Sequence, residues 1–399
     1  MIRMIIFITF LLALAAGLAS DLYVPSLPAI AKDFDISSRL SQLTLTIFLF
    51  AFAGGQFIYG PFSDKYGRKW LAIFALLIAF LGSFLCAHAI NFTCLLSGRF
   101  LQGIGAAGCL SLARAIMRDV SQGSSMVRIN SLISALSEAA LALAPLAGGY
   151  LIYIGGWRAN FYFLTYLYAI IICIIFLFFP ETNKNKHNSP LNFKKTLEIF
   201  GVIIKDPSFL TYTLCAGLAY AALMCYFLFS PFLLQENLNL SPREYGQVSL
   251  WVSAALSFGA WINGSLVKKF DLDFCVHLGI LLLLFSGALL ICAHFFHYLS
   301  VITVVFPAII ASFGCAFLFS SCCAGALNEY SNIAGMASAI YSGLQMCFAF
   351  TFTFFASLFD PNLLSSFGIC LALLGCMGIL AVTLNRNVSR VSEKYLKEF

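Results

Sequence analysis

Gly60-Pro61-Phe62-Ser63-Asp64-Lys65-Tyr66-Gly67-Arg68-Lys69 stands between two runs, 43–60 and 70–87, that contain no Asp, Glu, Lys or Arg. Its glycines permit a tight reversal of the chain. Asp64 can meet a helix end, and Arg68 can offer it a planar fork of donors. A loop latched in this way can hold the helices on either side in one of two arrangements.

Working outward, the flanking runs are of a kind that recurs along all 399 residues, which are 61% hydrophobic and 10% charged, with a mean hydropathy of +0.93. Soluble domains carry about 25% charged residues, so this chain cannot cover itself with a water-soluble surface. Apolar segments fall at 4–30, 39–60, 70–90, 93–117, 128–154 and 159–180, and again at 208–233, 243–267, 273–296, 299–325, 333–358 and 361–385. Each is near the roughly 20 residues needed to cross a hydrocarbon core of about 30 Å. The pattern predicts an all-α membrane protein of about twelve transmembrane helices in two six-helix bundles, 1–180 and 208–385. A cytoplasmic linker, 181–207, joins the bundles, and a cytoplasmic tail, 386–399, follows. The linker carries Lys184, Lys186, Lys194, Lys195 and Lys205, and Leu191 to Ile204 reads as an amphipathic helix on the membrane surface.

Basic residues mark one side of the membrane. Arg3, Lys65, Arg68, Lys69, Arg118, Arg128, the linker lysines, Lys268, Lys269 and the tail all fall at alternate loops, whereas the opposite loops hold Lys32, Arg39, Arg158 and Arg243. The positive-inside rule then places both termini in the cytoplasm. A rival reading of the first segment is a signal peptide, with Arg3 followed by the apolar Met4 to Ala16 and the small Gly17 and Ala19. Cleavage would leave eleven spans and break the even two-bundle layout.

The formal charge of +6 is scattered through short loops and forms no patch of groove size, which argues against a nucleic-acid partner. The cysteines from Cys86 to Cys376 lie almost entirely in apolar segments without a Cys-x-x-Cys pair, so they read as reduced core residues rather than disulfides or metal ligands. No Gly-x-x-x-x-Gly-Lys-Ser/Thr loop is present to hold a nucleotide. The cofactor expected is none, with a proton gradient as the energy source, and a monomer is expected in the bilayer.

The decapeptide at 60–69, by its Gly-x-x-x-Asp-x-x-Gly-Arg-Lys spacing and its place after the second segment, resembles the signature loop of the major facilitator superfamily. Further stretches resemble the Bcr/CflA drug:proton antiporters of that family. They are Asp21-Leu22-Tyr23-Val24-Pro25-Ser26-Leu27-Pro28 in the first segment, Arg99-Phe100-Leu101-Gln102-Gly103 with Arg114-Ala115-Ile116-Met117-Arg118-Asp119 in the fourth, and Ala144-Pro145-Leu146-Ala147-Gly148-Gly149 in the fifth. The last is similar to the antiporter motif, with Ala147 and Gly149 where a Gly-Pro pair often stands in the wider group. The resemblance implies the two-bundle fold and proton-driven export.

Ionisable groups at membrane depth are costly and therefore functional candidates. Asp21, Arg99, Arg114 and Glu138 are the four. In the fold the resemblance implies, the first and fourth helices line the central cavity, making Asp21 with Arg99 a proton-coupling pair and Glu138 a further proton site, a substrate ligand or a partner of Arg114 or Arg128. Arg114 is expected to serve the cytoplasmic gate with Asp119. The gating loop is Gly60, Asp64, Gly67, Arg68 and Lys69. Gln102 and Gly103 give the fourth helix a polar, close-packing face, and Pro145, Gly148 and Gly149 belong to the fifth-helix motif. In the second half no charge sits deep in a segment, and Tyr220, Tyr226, Asn263, Tyr341 and Gln345 are candidates to line an aromatic, partly polar substrate cavity.

These readings converge on proton-coupled efflux of small amphiphilic drugs or toxic compounds across a bacterial inner membrane. Export or import of one metabolite, such as an amino acid, peptide or siderophore, remains the alternative. An integral-membrane enzyme is a third reading, which the spread of the four buried charges over depth disfavours.

Overall fold

The computed structural model describes residues 2–120, 136–137, 139–183 and 200–396. Long helices dominate: α1 (Ile2–Asp21), α2 (Leu43–Tyr66), α3 (Arg68–Ala87), α4 (Phe92–Val120), α5 (Ala144–Gly155), α6 (Arg158–Phe178), α7 (Pro207–Pro231), α8 (Pro242–Leu266), α9 (Leu272–Phe295), α10 (Val301–Leu327), α11 (Ala334–Ala356) and α12 (Leu364–Leu396). Among the described residues, ten helical spans are long and apolar enough to cross a membrane, and the shorter apolar α5 adds to them. α8, at 25 residues, has the length but carries Trp, Ser, Gly, Gln and Asn in place of aliphatic residues. With no water in the bilayer core, each backbone donor must be satisfied within its own helix. Among the described residues, the sequence segments are therefore helical, the first with an internal break.

Proline sets the main departure. Pro25 lacks an N–H and Pro28 follows, so α1 stops at Asp21 and the chain continues through a turn at Val24–Ser26 into a short helix, Leu27–Asp33. At the other extreme, α2 outruns its apolar segment and carries Ser63, Asp64 and Lys65 in helical conformation up to Tyr66. α7 ends at Pro231 and passes into a π-helical turn, Phe232–Asn237.

Two compact units form. The first is residues 1–191 with 230–251, and the second is 192–229 with 252–399. Within the first, α3 and α4 cross closely at glycines: a Cβ on Gly82 would lie 2.7 Å from the Gly98 carbonyl oxygen, and one on Gly98 would lie 2.8 Å from that of Gly82. The second unit repeats the device between α9 and α10, where Gly279 and Gly314 each face the other's carbonyl oxygen at 2.8 and 2.7 Å. Such small-residue crossings supply the close backbone packing that holds helices together in lipid.

The stretch 230–251 packs with the first unit. Gln235 Nε2 donates to the Pro25 carbonyl at 3.1 Å, and the Arg243 guanidinium lies 4.8 Å from the Tyr150 ring.

Candidate functional site

The loop between α2 and α3 turns at Gly67, which adopts φ +90°. Arg68 opens α3 and is almost fully buried. Its Nε and Nη2 donate to Asp119 Oδ2 and Oδ1 at 2.8 and 3.2 Å, and its Nη1 donates to Asp64 Oδ1 and to Ser63 Oγ, both at 2.8 Å. The guanidinium thus spans the ends of α2 and α4 with a two-pronged bond to Asp119, the stronger geometry for such pairs. Side-chain exposure is 6% for Arg68, 18% for Asp119 and 57% for Asp64, so the Asp119 arm is the better shielded.

A second layer comes from the residues after α6. Glu181 accepts the backbone N–H groups of Arg68 and Lys69 at 2.8 and 3.3 Å, which caps the N-terminus of α3 with a carboxylate. Thr182 donates to Asp119 Oδ2 at 3.1 Å, and Asn183 Nδ2 donates to the Asp64 carbonyl at 2.9 Å. Lys69 Nζ reaches the Phe176 carbonyl at 3.0 Å. Sequence reasoning found Asp64 and Arg68 together and assigned Asp119 to Arg114. The structure commits Asp119 to Arg68 and Thr182, because the Arg68 fork fits both of its oxygens. Arg114 stands exposed on α4. Glu181, Thr182 and Asn183 were missed, the available signal being an acidic residue directly after Pro180.

Deeper in the unit, Arg99 is completely buried. Its Nη1 donates to the Ala19 carbonyl and to Gln102 Oε1 at 2.8 and 2.6 Å, and its Nε donates to the Thr44 carbonyl at 3.1 Å. The guanidinium lies 4.0 Å from the Tyr23 ring centroid and 4.4 Å from that of Phe48. Its Nη2 has no hydrogen-bond partner. The pairing with Asp21 suggested by the sequence is therefore replaced by main-chain acceptors: the break in α1 exposes the Ala19 carbonyl, and Arg99 takes it. Arg99 grips the chain on both sides of Asp21, at Ala19 and at Tyr23. Asp21 itself is half-buried and accepts a hydrogen bond from Ser20 Oγ at 2.5 Å. Gln102 completes the group by donating to Ser83 Oγ at 2.5 Å, and a Cβ on Gly103 would strike the Phe48 carbonyl. Glu138, with Arg128, lies outside the described residues.

At the opposite end of this unit, Arg158 Nη1 bonds Asp33 Oδ2 at 2.8 Å, and Trp157 Nε1 donates to the same oxygen at 3.1 Å. α5 meets its neighbours through its motif. A Cβ on Gly148 would run into the Leu22 carbonyl, one on Gly149 into that of Pro242, and Gly246 on α8 faces the Pro145 carbonyl oxygen at 2.7 Å.

In the second unit the proposed cavity residues are largely turned inward. Asn263 Nδ2 donates to Ser321 Oγ at 3.1 Å, Gln345 Nε2 reaches the Ala216 carbonyl at 3.5 Å, and Tyr341 stands edge-on to Phe209. Tyr226 is buried beside Phe227, and Tyr220 is half-buried against Phe319. Two aromatic links were not anticipated: Tyr212 donates to Asp273 Oδ1 at 2.7 Å and Tyr330 to Asp206 Oδ2 at 2.8 Å. Among the described residues no cluster of His, Cys, Asp and Glu could hold a metal ion.

A bundle of membrane-length helices with a latched loop and a carboxylate at a helix break fits a multi-pass membrane transporter of small molecules, and the comparisons with known proteins establish that class. The profile of the Major Facilitator Superfamily matches residues 9–353, and the chain belongs to that family. It is 29% identical over 342 residues to the MFS-type transporter YdgK of Bacillus subtilis, covering 85% of each chain. Over 293 residues it is 27% identical to a bicyclomycin resistance protein homolog of Haemophilus influenzae, covering 71% of this chain and 73% of that one. It is also 25% identical over 372 residues to multidrug resistance protein D of Escherichia coli, covering 93% and 92%. Its fold matches that of a D-xylose-proton symporter with a TM-score of 0.79 over 96% of this chain and 97% of the other, at 16% identity.

Proposed function

We propose that the protein exports small amphiphilic compounds across a bacterial inner membrane in exchange for protons, with the Gly60–Lys69 loop and both termini on the cytoplasmic side. The observation that carries this reading is the unequal standing of the two charges near the α1 break. Arg99 is completely buried, with Nε and Nη1 donating to carbonyls and Gln102 and Nη2 enclosed among side chains, whereas Asp21 keeps some exposure. The negative charge is the one a solute or a proton can reach. A carboxylate-bearing metabolite would need an accessible cation here, and Arg99, at 0% exposure, is not accessible. The names of the bicyclomycin- and multidrug-resistance relatives point the same way.

In this cycle, protonation of Asp21 from the outer side releases a cationic or polar compound, and loss of the proton toward the cytoplasm restores the carboxylate. For an uncharged compound each proton moved inward contributes about 2.3 kcal/mol per 100 mV, which supports a solute gradient of about fiftyfold, whereas one-for-one exchange with a monovalent cation moves no net charge and draws on the pH difference alone. The Arg68–Asp119 and Asp64 contacts hold the loop in one arrangement between turnovers. The test is substrate transport by reconstituted protein in vesicles, with and without a proton gradient, over a panel of lipophilic cations, neutral antibiotics and amino acids. Gradient-dependent movement of cations supports the reading. Transport confined to one amino acid or peptide, indifferent to the gradient, refutes it.

A further inference from the structure

α2 and α3 are joined by the latched loop but diverge above it, and the gap is a slot of about 310 Å³. Its walls are Ile58 and Phe62 from α2 and Leu71, Phe74 and Ile78 from α3, and Ile104 of α4 forms part of the floor. Gly54 opens the slot: a Cβ placed there would meet no atom within 4 Å. At the far end Phe50 and Phe100 close it, their ring centroids 6.4 Å apart. From Phe50 to Phe62 is about 18 Å at 1.5 Å per residue, a little over half of a hydrocarbon core of about 30 Å. The slot therefore has the length and the apolar lining of a single acyl chain from one leaflet.

The open end is marked by charge. At about 100° per residue, Lys65 lies within about 20° of Ile58 on α2 and two turns beyond it. Its ammonium is exposed and, among the described residues, takes part in no ion pair; its recorded neighbour is the Tyr66 ring, 5.2 Å away. The adjacent Asp64 belongs to a group in which two carboxylates, Asp64 and Asp119, face two guanidiniums, Arg68 and Arg118, so the positive charge of Lys65 is left over. We propose that this slot is a binding site for one anionic phospholipid, its acyl chain seated over Gly54 and its phosphate on Lys65. The site is separate from the Asp21 region and independent of the export reading.

The experiment is native mass spectrometry of the full-length protein in detergent, titrated with dioleoyl-phosphatidylglycerol or dioleoyl-phosphatidylcholine. The wild type is expected to retain one phosphatidylglycerol about fivefold more tightly than phosphatidylcholine, the preference one lysine near a lipid surface supplies. Gly54→Leu, which has room for its side chain and favours helix, fills the slot and abolishes retention of either lipid. Lys65→Gln keeps a bound lipid but loses the headgroup preference. Equal affinity for the two lipids in the wild type overturns the proposal, as does undiminished phosphatidylglycerol binding by Gly54→Leu. A thermal melt matching the wild type shows that each variant is folded.

Discussion

The first six helices and the last six repeat one order of long helix and short turn, and both use glycine crossings at the same place, α3 on α4 and α9 on α10. They fasten their ends differently. Where α3 begins, a buried guanidinium is shared by Asp64, Asp119 and Ser63. Where α7 and α9 begin, the corresponding work is done by phenols, Tyr330 on Asp206 and Tyr212 on Asp273. Asp206 also accepts the Ser208 backbone N–H at 2.9 Å, so one carboxylate both caps α7 and holds Tyr330. The comparison separates two jobs. The packing seam needs only small residues and is kept in both halves. The latch can be built with a buried cation, which is costly to leave unpaired, or with neutral donors, which are cheap to lose.

The largest effect expected concerns charge in the membrane. Asp21→Asn should bring substrate-induced proton release from purified protein to background, whereas Asn263→Ala and Gln345→Ala in the second half, whose side chains bond within their own bundle, should leave it in place. Proton release that persists in Asp21→Asn would erase this difference between the halves. Next is Arg68→Ala, which strands Asp119 and should cost about 3 kcal/mol, seen as a lowered thermal midpoint and slower turnover. Arg68→Lys should recover little, since an ammonium cannot reproduce the two-pronged bond to Asp119. Tyr212→Phe and Tyr330→Phe should each cost about 1.5 kcal/mol by the same measurement. A loss equal to that of Arg68→Ala would mean the second latch is as strong as the first. Smallest is Glu181→Gln, which keeps an acceptor for the α3 N-terminus but removes its charge, at about 0.5–1 kcal/mol, and less at high salt.

What could be read in advance follows from distance along the chain. The long apolar segments were legible because a bilayer imposes length and apolarity locally, and even α8, which falls short of the ten most apolar spans among the described residues, showed as a run free of deep charge. The Asp64–Arg68 contact was legible because four residues on adjoining helix ends cannot stray far. Glu181 was not, since it meets Arg68 from 113 positions away and nothing in its own surroundings names its partner. Arg99 was recognisable as an intramembrane cation, but its direction depends on the Ala19 carbonyl that the Pro25 break leaves open. In the second half, Asn263, Gln345 and Tyr341 were chosen as polar or amphipathic groups in apolar helices, a property shared by side chains that satisfy their own bundle.

Gly67 gives the signature loop a dependence its ten letters do not display. The residue is held at φ +90°, and a Cβ there would also press into the Glu181 carboxylate, whose Cδ would lie 2.8 Å away. The glycine is thus an empty seat kept for a side chain from the far end of the bundle, and the motif is spelled jointly by two distant stretches. Two separate objections to Gly67→Ala can be told apart: in a Glu181→Ala background the steric one vanishes and the backbone one remains, so the alanine should do measurably less harm there than in the parent chain. Equal harm in both would leave the left-handed turn as the sole reason this position tolerates nothing larger.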